Sequence, residues 1–259
     1  MKTKVIFFGN GPLADAALDV LKDKFEIIFH AREKSDLERV KYLKEENPEA
    51  FGVLASFGVI IKQDLLDLFE PEGILNIHPS LLPLYRGASP IESAILAGDN
   101  EFSVSIMKLV KAMDAGPIYY QTTLNNLPLI KSEIYEALAA TGARWICENL
   151  DNLPTPVEQD NSKATFTEKM EKSMGVLHPE TESAEKIYRK IVAFQGFPKA
   201  KYAFYGKNCT ILEAHILNPG ETAVLTLPCA DGQIIAIDRL QPDGKKPMDA
   251  KSFINGYAK

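Results

Sequence analysis

No run in this sequence approaches the roughly 18 consecutive apolar residues that a membrane-crossing helix requires, so no membrane partner is expected. Cysteine is sparse. Cys147, Cys209 and Cys229 are three in number and far apart, which leaves no disulfide framework and no metal-ligand spacing and suits a reducing cytoplasm. Positive charge is in deficit, with 29 Lys and Arg against 35 Asp and Glu for a net charge of −6, which argues against a generic nucleic-acid coat. There is no internal repeat and no low-complexity tract. Residues 1–9 start basic and turn apolar, but the apolar stretch stops at Gly9, and Asp15 and Asp19 follow. The segment reads as a first strand, not as a targeting signal.

What is present is a composition of 46% apolar and 25% charged residues in a chain of 259, enough for one large domain or two moderate ones. The charge is uneven. Residues 1–162 hold 15 Lys and Arg against 24 Asp and Glu, whereas residues 163–259 hold 14 against 11. The second part either faces a polyanion or shows ordinary scatter.

Apolar β-rich runs at residues 4–8, 25–29, 51–56, 73–77, 102–107 and 118–123 alternate with helical patterns at 12–21, 37–43, 63–69, 91–96 and 130–150. This alternation predicts an α/β, Rossmann-like, mainly parallel sheet covered on both faces. Residues 151–164 are polar with two prolines and read as the start of a linker. A helix at 184–194 and short β runs at 201–205, 209–216, 222–227 and 233–240 follow, separated by Gly- and Asn-containing turns, with a last helix at 249–255. Such spacing suggests a small β-barrel. The expected organisation is a catalytic domain at 1–150, a linker at 151–182 and a barrel domain at 183–259.

Two constellations carry chemistry. Gly9-x-Gly11-x-x-Ala14 follows a strand and opens a helix, as in a dinucleotide-binding turn, with Glu33 placed to hold a ribose. The plain alternative is a tight strand–helix turn, and the rest of the chain points away from NAD. The second is Asn76 and His78, two residues apart at a strand end, with Asp114 in a later loop. Alternation puts Asn76 and His78 on one face of a strand. An amide and an imidazole side by side supply an oxyanion donor and a proton acceptor. His78 has no partner His or Cys at ligand spacing, so no metal is expected. Ser80 lacks the Gly-x-Ser-x-Gly setting of a nucleophile.

The segment Asn76-Ile77-His78-Pro79-Ser80-Leu81-Leu82-Pro83-Leu84-Tyr85-Arg86-Gly87, followed by Asp114-Ala115-Gly116, resembles the signature of the 10-formyltetrahydrofolate-dependent formyltransferases. Within them, residues 8–14, Gly87-Ala88-Ser89-Pro90-Ile91, Ala97-Gly98-Asp99, Phe197-Pro198 and the tail at 240–248 look like the methionyl-tRNA formyltransferase branch. The resemblance implies transfer of a formyl group from 10-formyltetrahydrofolate to the α-amine of initiator methionyl-tRNA, in translation initiation, by a monomeric cytoplasmic enzyme with a barrel of the oligonucleotide-binding (OB) type. Asn76, His78 and Asp114 would be catalytic. Ser80, Leu81, Leu82, Pro83, Phe57, Gly58 and Ile60 would line the folate site. Gly9, Asn10, Arg86, Lys245 and Lys246 would contact the acceptor, with Lys199, Lys201 and Lys207 as further phosphate candidates.

One departure stands out. The familiar bacterial tRNA enzymes carry a long basic loop after the second strand. Here only residues 30–50 lie there, and Arg32, Lys34, Arg39, Lys41 and Lys44 are mixed with acids, which reads as a solvated helix face. A sugar-nucleotide N-formyltransferase therefore remains the alternative. Adding the protein to NADH is expected to leave the nicotinamide fluorescence unchanged; a shift or enhancement would restore the dinucleotide reading.

Overall fold

The computed structural model describes residues 2–258. They form two units, one running up to residue 91 and over 100–168, the other over 92–99 and from residue 169 onward. Each is described separately below. No helix among the described residues is long and apolar enough to cross a membrane.

The chain runs through β1 (Lys4–Phe8), α1 (Pro12–Lys24), β2 (Glu26–Ala31), α2 (Leu37–Glu46), β3 (Phe51–Leu54), α3 (Gln63–Leu66) and β4 (Ile74–His78). It continues with α4 (Pro90–Ala97), β5 (Phe102–Lys108), β6 (Ile118–Leu124) and α5 (Lys131–Asn149). The first unit is built on a six-stranded sheet in the order β2-β1-β3-β4-β5-β6. The three pairings among β2, β1, β3 and β4 are parallel, and the two that join β4, β5 and β6 are antiparallel. The chain leaves β1 toward β2 and returns on the other side as β3, so the loops after β1 and β3 part at a topological switch point, where ligands bind in such sheets.

β4 is buried along its whole length, as a strand with sheet neighbours on both sides and packing on both faces must be. Its residues alternate. A Cβ on Gly142 of α5 would lie 2.8 Å from Ile77 Cγ2 and 3.1 Å from Ile106 Cδ1, so only glycine lets α5 ride this close to the sheet. Ile77 faces α5. Ile74, Asn76 and His78 therefore face the other way, and Ile74 packs there in a cluster with Val40, Leu65, Leu66 and Phe69.

Lys44 does not sit on a solvated face, contrary to the reading of residues 30–50. It is buried, and its Nζ donates to the carbonyls of Pro48 and Ala50 at 2.6 Å each, 4.9 Å from the centre of the Phe69 ring. Burial pushes its ammonium pKa down. Lys41, by contrast, is exposed beside Asp64.

The second unit contains α6 (Ala184–Ala193), β7 (Lys201–Phe204), β8 (Lys207–Ile216), β9 (Thr226–Pro228), β10 (Ile234–Pro242), β11 (Met248–Asp249) and α7 (Ala250–Tyr257). Its sheet is antiparallel, ordered β11-β10-β8-β7 with β9 also paired to β10. It curls as half of a barrel around a core that includes Ile187, Ile191, Ile211, Leu227, Ile235, Leu240 and Phe253. Ser183 and Asp249 cap α6 and α7 by accepting from the N–H groups of Lys186 and Ser252. All three cysteines are free thiols.

His215 of β8 lies between two carboxylates, Nδ1 2.8 Å from Asp238 Oδ2 and Nε2 3.1 Å from Glu221 Oε1. The bond to Asp238 is the largest cause of its raised pKa. A raised folded pKa gives stability that is fully present below the unfolded value of about 6.5 and fades as pH rises through the folded value. The ring is about 40% exposed, so the gain is at most about 1 kcal/mol. His215→Gln should therefore lower the melting temperature at pH 6 and leave it unchanged at pH 9, as measured by thermal denaturation.

Candidate active site

Asn76 and His78 end β4. Asn76 is 5% exposed, and its side-chain amide has no hydrogen-bond partner among the described residues. Its atoms nevertheless reach the surface, since no buried side-chain N or O among the described residues lacks a partner. His78 Nε2 lies 3.1 Å from the Tyr85 carbonyl, and Nδ1 lies 3.8 Å from Asp114 Oδ1. Each ring nitrogen thus faces an acceptor. The Asp114 contact is longer than a hydrogen bond, as catalytic contacts often are without substrate.

Asp114 does not arrive as the sequence pattern implies. A loop after a parallel strand would open at the His78 end of the sheet. β5, however, is antiparallel to β4, with Lys108 opposite Leu75 and Ser105 opposite His78. The carboxyl end of β5 is therefore at the far end, and residues 109–117 must run back along β4 to deliver Asp114. Two devices hold the returned loop. The Gly87 N–H donates to Asp114 Oδ2 at 2.7 Å. Gln159 Nε2 donates to the carbonyls of Asp114 at 2.9 Å and Gly116 at 2.7 Å.

Gln159 in turn accepts from Arg86, at 3.1 Å from Nε and 2.6 Å from Nη2, and Arg86 Nη2 also donates to Asn161 at 2.8 Å. The guanidinium is buried, and its Nε and Nη2 are turned toward this strap, which makes Arg86 a structural tie to it. The strap itself, 151–168, bonds along the first unit. Val157 pairs with Ile118, and Thr165 and Thr167 exchange backbone bonds with Arg86 at 2.9 and 2.8 Å.

Ser56, Tyr85 and Asp114 have φ of 54°, 56° and 46°, left-handed values that cost a non-glycine residue about 1–3 kcal/mol and persist where surrounding bonds fix them. Ser56 and Tyr85 follow β3 and β4, and Asp114 faces His78.

The expected folate-lining residues divide. Ile60 is 89% exposed, and Leu81 and Leu84 are also exposed, at the shared carboxyl end of the parallel strands β3 and β4. Phe57 and Leu82 are buried in the core. The polar groups of residues 80–84 are largely committed. Ser105 Oγ donates to the Ser80 carbonyl at 2.6 Å and accepts from the Leu82 N–H at 3.1 Å. Gln121 donates to the Leu82 carbonyl and to Ser105 Oγ at 2.8 Å each, and Ser80 Oγ donates to the Leu84 carbonyl at 2.7 Å.

The Gly9 turn is explained by packing. A Cβ on Gly9 would collide with the Ala55 carbonyl oxygen. Its N–H and that of Asn10 donate to Ala31 and Ser56 at 2.9 and 3.1 Å, and Asn10 Nδ2 donates to the Arg32 carbonyl at 2.9 Å. Glu33 caps a 3-10 turn at Lys34–Asp36 together with Asp36. In the second unit, Lys245 and Lys246 are exposed between β10 and β11, and Lys201 is paired with Asp243 at 3.4 Å. Among the described residues no three His, Cys, Asp or Glu side chains gather as a metal-ligand group. Gln159, Ser105 and Thr165 were not singled out from the sequence. The one signal for Gln159 is positional, three residues beyond Pro156 in a polar stretch, and that signal is weak.

A family model described as "Formyl transferase" matches residues 4–150, and "Formyl transferase, C-terminal domain" matches residues 169–258. A methionyl-tRNA formyltransferase of Dehalococcoides mccartyi is 36% identical over 85% of this chain and 74% of its own length. That of Anaplasma marginale is 33% identical over 86% and 75%. Among solved structures, methionyl-tRNA formyltransferase from Clostridium thermocellum aligns with a TM-score of 0.70 at 20% identity, covering 93% of this chain and 99% of that one. HypX from Aquifex aeolicus in complex with tetrahydrofolic acid gives 0.78 at 17% identity over 99% of this chain and 47% of that one, so the chain spans about half of that protein. WlaRD, a sugar 3N-formyl transferase, gives 0.64 at 18% over 95% and 99%. At these identities the structures share the fold with this chain.

Ser105 is fully buried. Removing its hydroxyl leaves the Leu82 N–H and the Ser80 carbonyl short of a partner, and a stranded buried group costs about 1–3 kcal/mol. Ser105→Ala is expected to lose stability of that size in urea denaturation.

Proposed function

The chain belongs to the formyl transferase family, and from that premise we propose that it moves a formyl group from 10-formyltetrahydrofolate to the α-amine of methionyl initiator tRNA. The observation that carries the reading is the group at the end of β4: an Asn76 amide with no partner among the described residues, and His78 set between Tyr85 and Asp114. The curated relatives named for this activity supply the acceptor class.

The folate donor supplies an activated formyl carbon. Its fit rests on the exposed apolar Ile60, Leu81 and Leu84, which offer walls for a flat heterocycle. As the amine adds to that carbon, the carbonyl oxygen gains charge. The Asn76 amide donates to that oxygen, and losing one such donor costs about 3–4 kcal/mol. His78 keeps its Nε2 proton for the Tyr85 carbonyl, takes at Nδ1 the proton that the attacking amine releases, and returns it to the departing nitrogen. Asp114 orients the imidazole from the Nδ1 side. Lys245 and Lys246, both exposed, would contribute phosphate contacts, whose effect is electrostatic and salt-dependent.

A sugar-nucleotide amine is the second acceptor to test, because residues 30–50 close in a short capped turn. Labelled 10-formyltetrahydrofolate is offered with initiator Met-tRNA or with a dTDP-aminosugar. Label on the tRNA is expected, and label on the sugar alone would overturn the choice of acceptor. His78→Ala should reduce turnover by about 10²- to 10⁴-fold while folate binding, read by protein fluorescence, is kept; full turnover would remove His78 from the mechanism. Reversing Lys245 and Lys246 to Glu should raise KM for tRNA and leave KM for the folate unchanged, whereas unaltered KM for tRNA would exclude this surface.

A further inference from the structure

We propose that Gln159 is a positioning residue for the transfer reaction, fixing the Asp114 backbone so that its carboxylate faces His78. The inference rests on the formyltransferase reading above. Gln159 lies between the bridge residue Val157 and a 3-10 turn at Asn161–Lys163, and it is buried while its neighbours Glu158 and Asp160 are exposed. Its amide is fully used: Oε1 accepts twice from Arg86, and Nε2 donates to the Asp114 and Gly116 carbonyls. The orientation of the amide follows from chemistry. Arg is a donor only and a carbonyl is an acceptor only, so the oxygen must face Arg86 and the nitrogen must face the loop.

The site needs such a clamp. Asp114 holds a left-handed backbone, with φ of 46°, in a loop that runs back against the direction of the strand order. Gln159 grips the carbonyl of that residue. The Gly87 N–H fixes one carboxylate oxygen at 2.7 Å, and the other faces Nδ1 of His78. Loss of the grip on the backbone lets the carboxylate turn about the single bond to Gly87, away from the imidazole.

Gln159→Glu separates this role from plain stability. A carboxylate still accepts from Arg86 and keeps that buried cation paired, but it has no N–H for the two carbonyls. The expected result is a melting temperature lowered by the two stranded carbonyls but still above the assay temperature, a folate affinity near that of the wild type, and kcat per folded protein lower by roughly 10- to 100-fold, the scale of a catalytic group displaced by about 1 Å. His78 ring ¹H–¹⁵N signals, resolvable among four histidines, should move in Gln159→Glu. A variant with kcat within twofold of wild type overturns the proposal, as does a kcat loss fully matched by a loss of folate-binding protein. If the wild-type protein transfers no formyl group to either acceptor, the functional reading fails, and the His78 signals then decide the positioning alone: an unmoved ring in Gln159→Glu overturns it.

Discussion

The bond from Gln159 to the Asp114 carbonyl is the constraint on which the site turns. An α/β sheet of this order delivers its loops for ligands at the carboxyl ends of parallel strands, and β1, β3 and β4 obey that rule. β5 does not, because it pairs antiparallel with β4. The loop that carries Asp114 leaves at the wrong end and has to be drawn back and held. Hydrogen bonds from a strap distant in sequence do that, and the buried Arg86 orients the amide that makes them. A flexible loop closing by chance would spend conformational entropy at each residue. Here the entropy is lost on folding, so the carboxylate is in place before any substrate arrives.

The same economy explains the division of labour in the loop after β4. Ser105, Gln121 and Leu84 take up the polar groups of residues 80–84. What remains outward is apolar, Leu81 and Leu84, beside Ile60 from the neighbouring loop. Under the proposed function, recognition of a heterocycle there would rely on shape and apolar contact, with orientation coming from the few polar groups not already bonded, chief among them the Asn76 amide. A site that leaves one amide unpaired amid satisfied neighbours concentrates its hydrogen-bonding capacity at the point where charge develops.

How much of this was legible in the sequence follows from the range of each interaction. Alternation along a strand is a local property, so Asn76 and His78 could be placed on one face from their spacing, and the strand–helix rhythm gave the α/β class. Arg86 and Gln159 are 73 residues apart, and nothing local marks either for the other. Residues 151–182 looked like a linker because the stretch opens polar and carries prolines; within 151–168 the single buried side chain, Gln159, is the one that matters. Arg86 drew the acceptor reading because it is a cation in a signature loop, and only the structure shows its Nε and Nη2 committed to Gln159 and Asn161. The Gly9-x-Gly11-x-x-Ala14 pattern was legible as a turn, but its cause, the Ala55 carbonyl just past β3, too close for any Cβ, was not. The mainly parallel sheet was legible, but the antiparallel sense of β5 was not, because a helix between two strands, here α4, usually signals a parallel crossover.

The short connection after β2 bears on what the enzyme can grip. Asp36 accepts from the Arg32 and Glu33 N–H groups at 2.7 and 3.0 Å, and these bonds lower its pKa. Ser35 donates to Glu33, and Asn10 holds the Arg32 carbonyl. A segment that has turned its polar groups on itself is stiff and locally neutralised, since the carboxylates of Glu33 and Asp36 flank the charges of Arg32 and Lys34. It offers a phosphate backbone little net attraction, whereas Lys245 and Lys246 sit on an exposed turn in the half of the chain where Lys and Arg outnumber Asp and Glu. For a polyanionic acceptor the attraction would therefore arise in the C-terminal unit, and the catalytic unit would contribute geometry at the amine more than affinity for the phosphates. That division matches the proposed chemistry: the electrostatic term is long-ranged and tolerant of position, whereas the transfer step depends on where Asp114 and His78 are held.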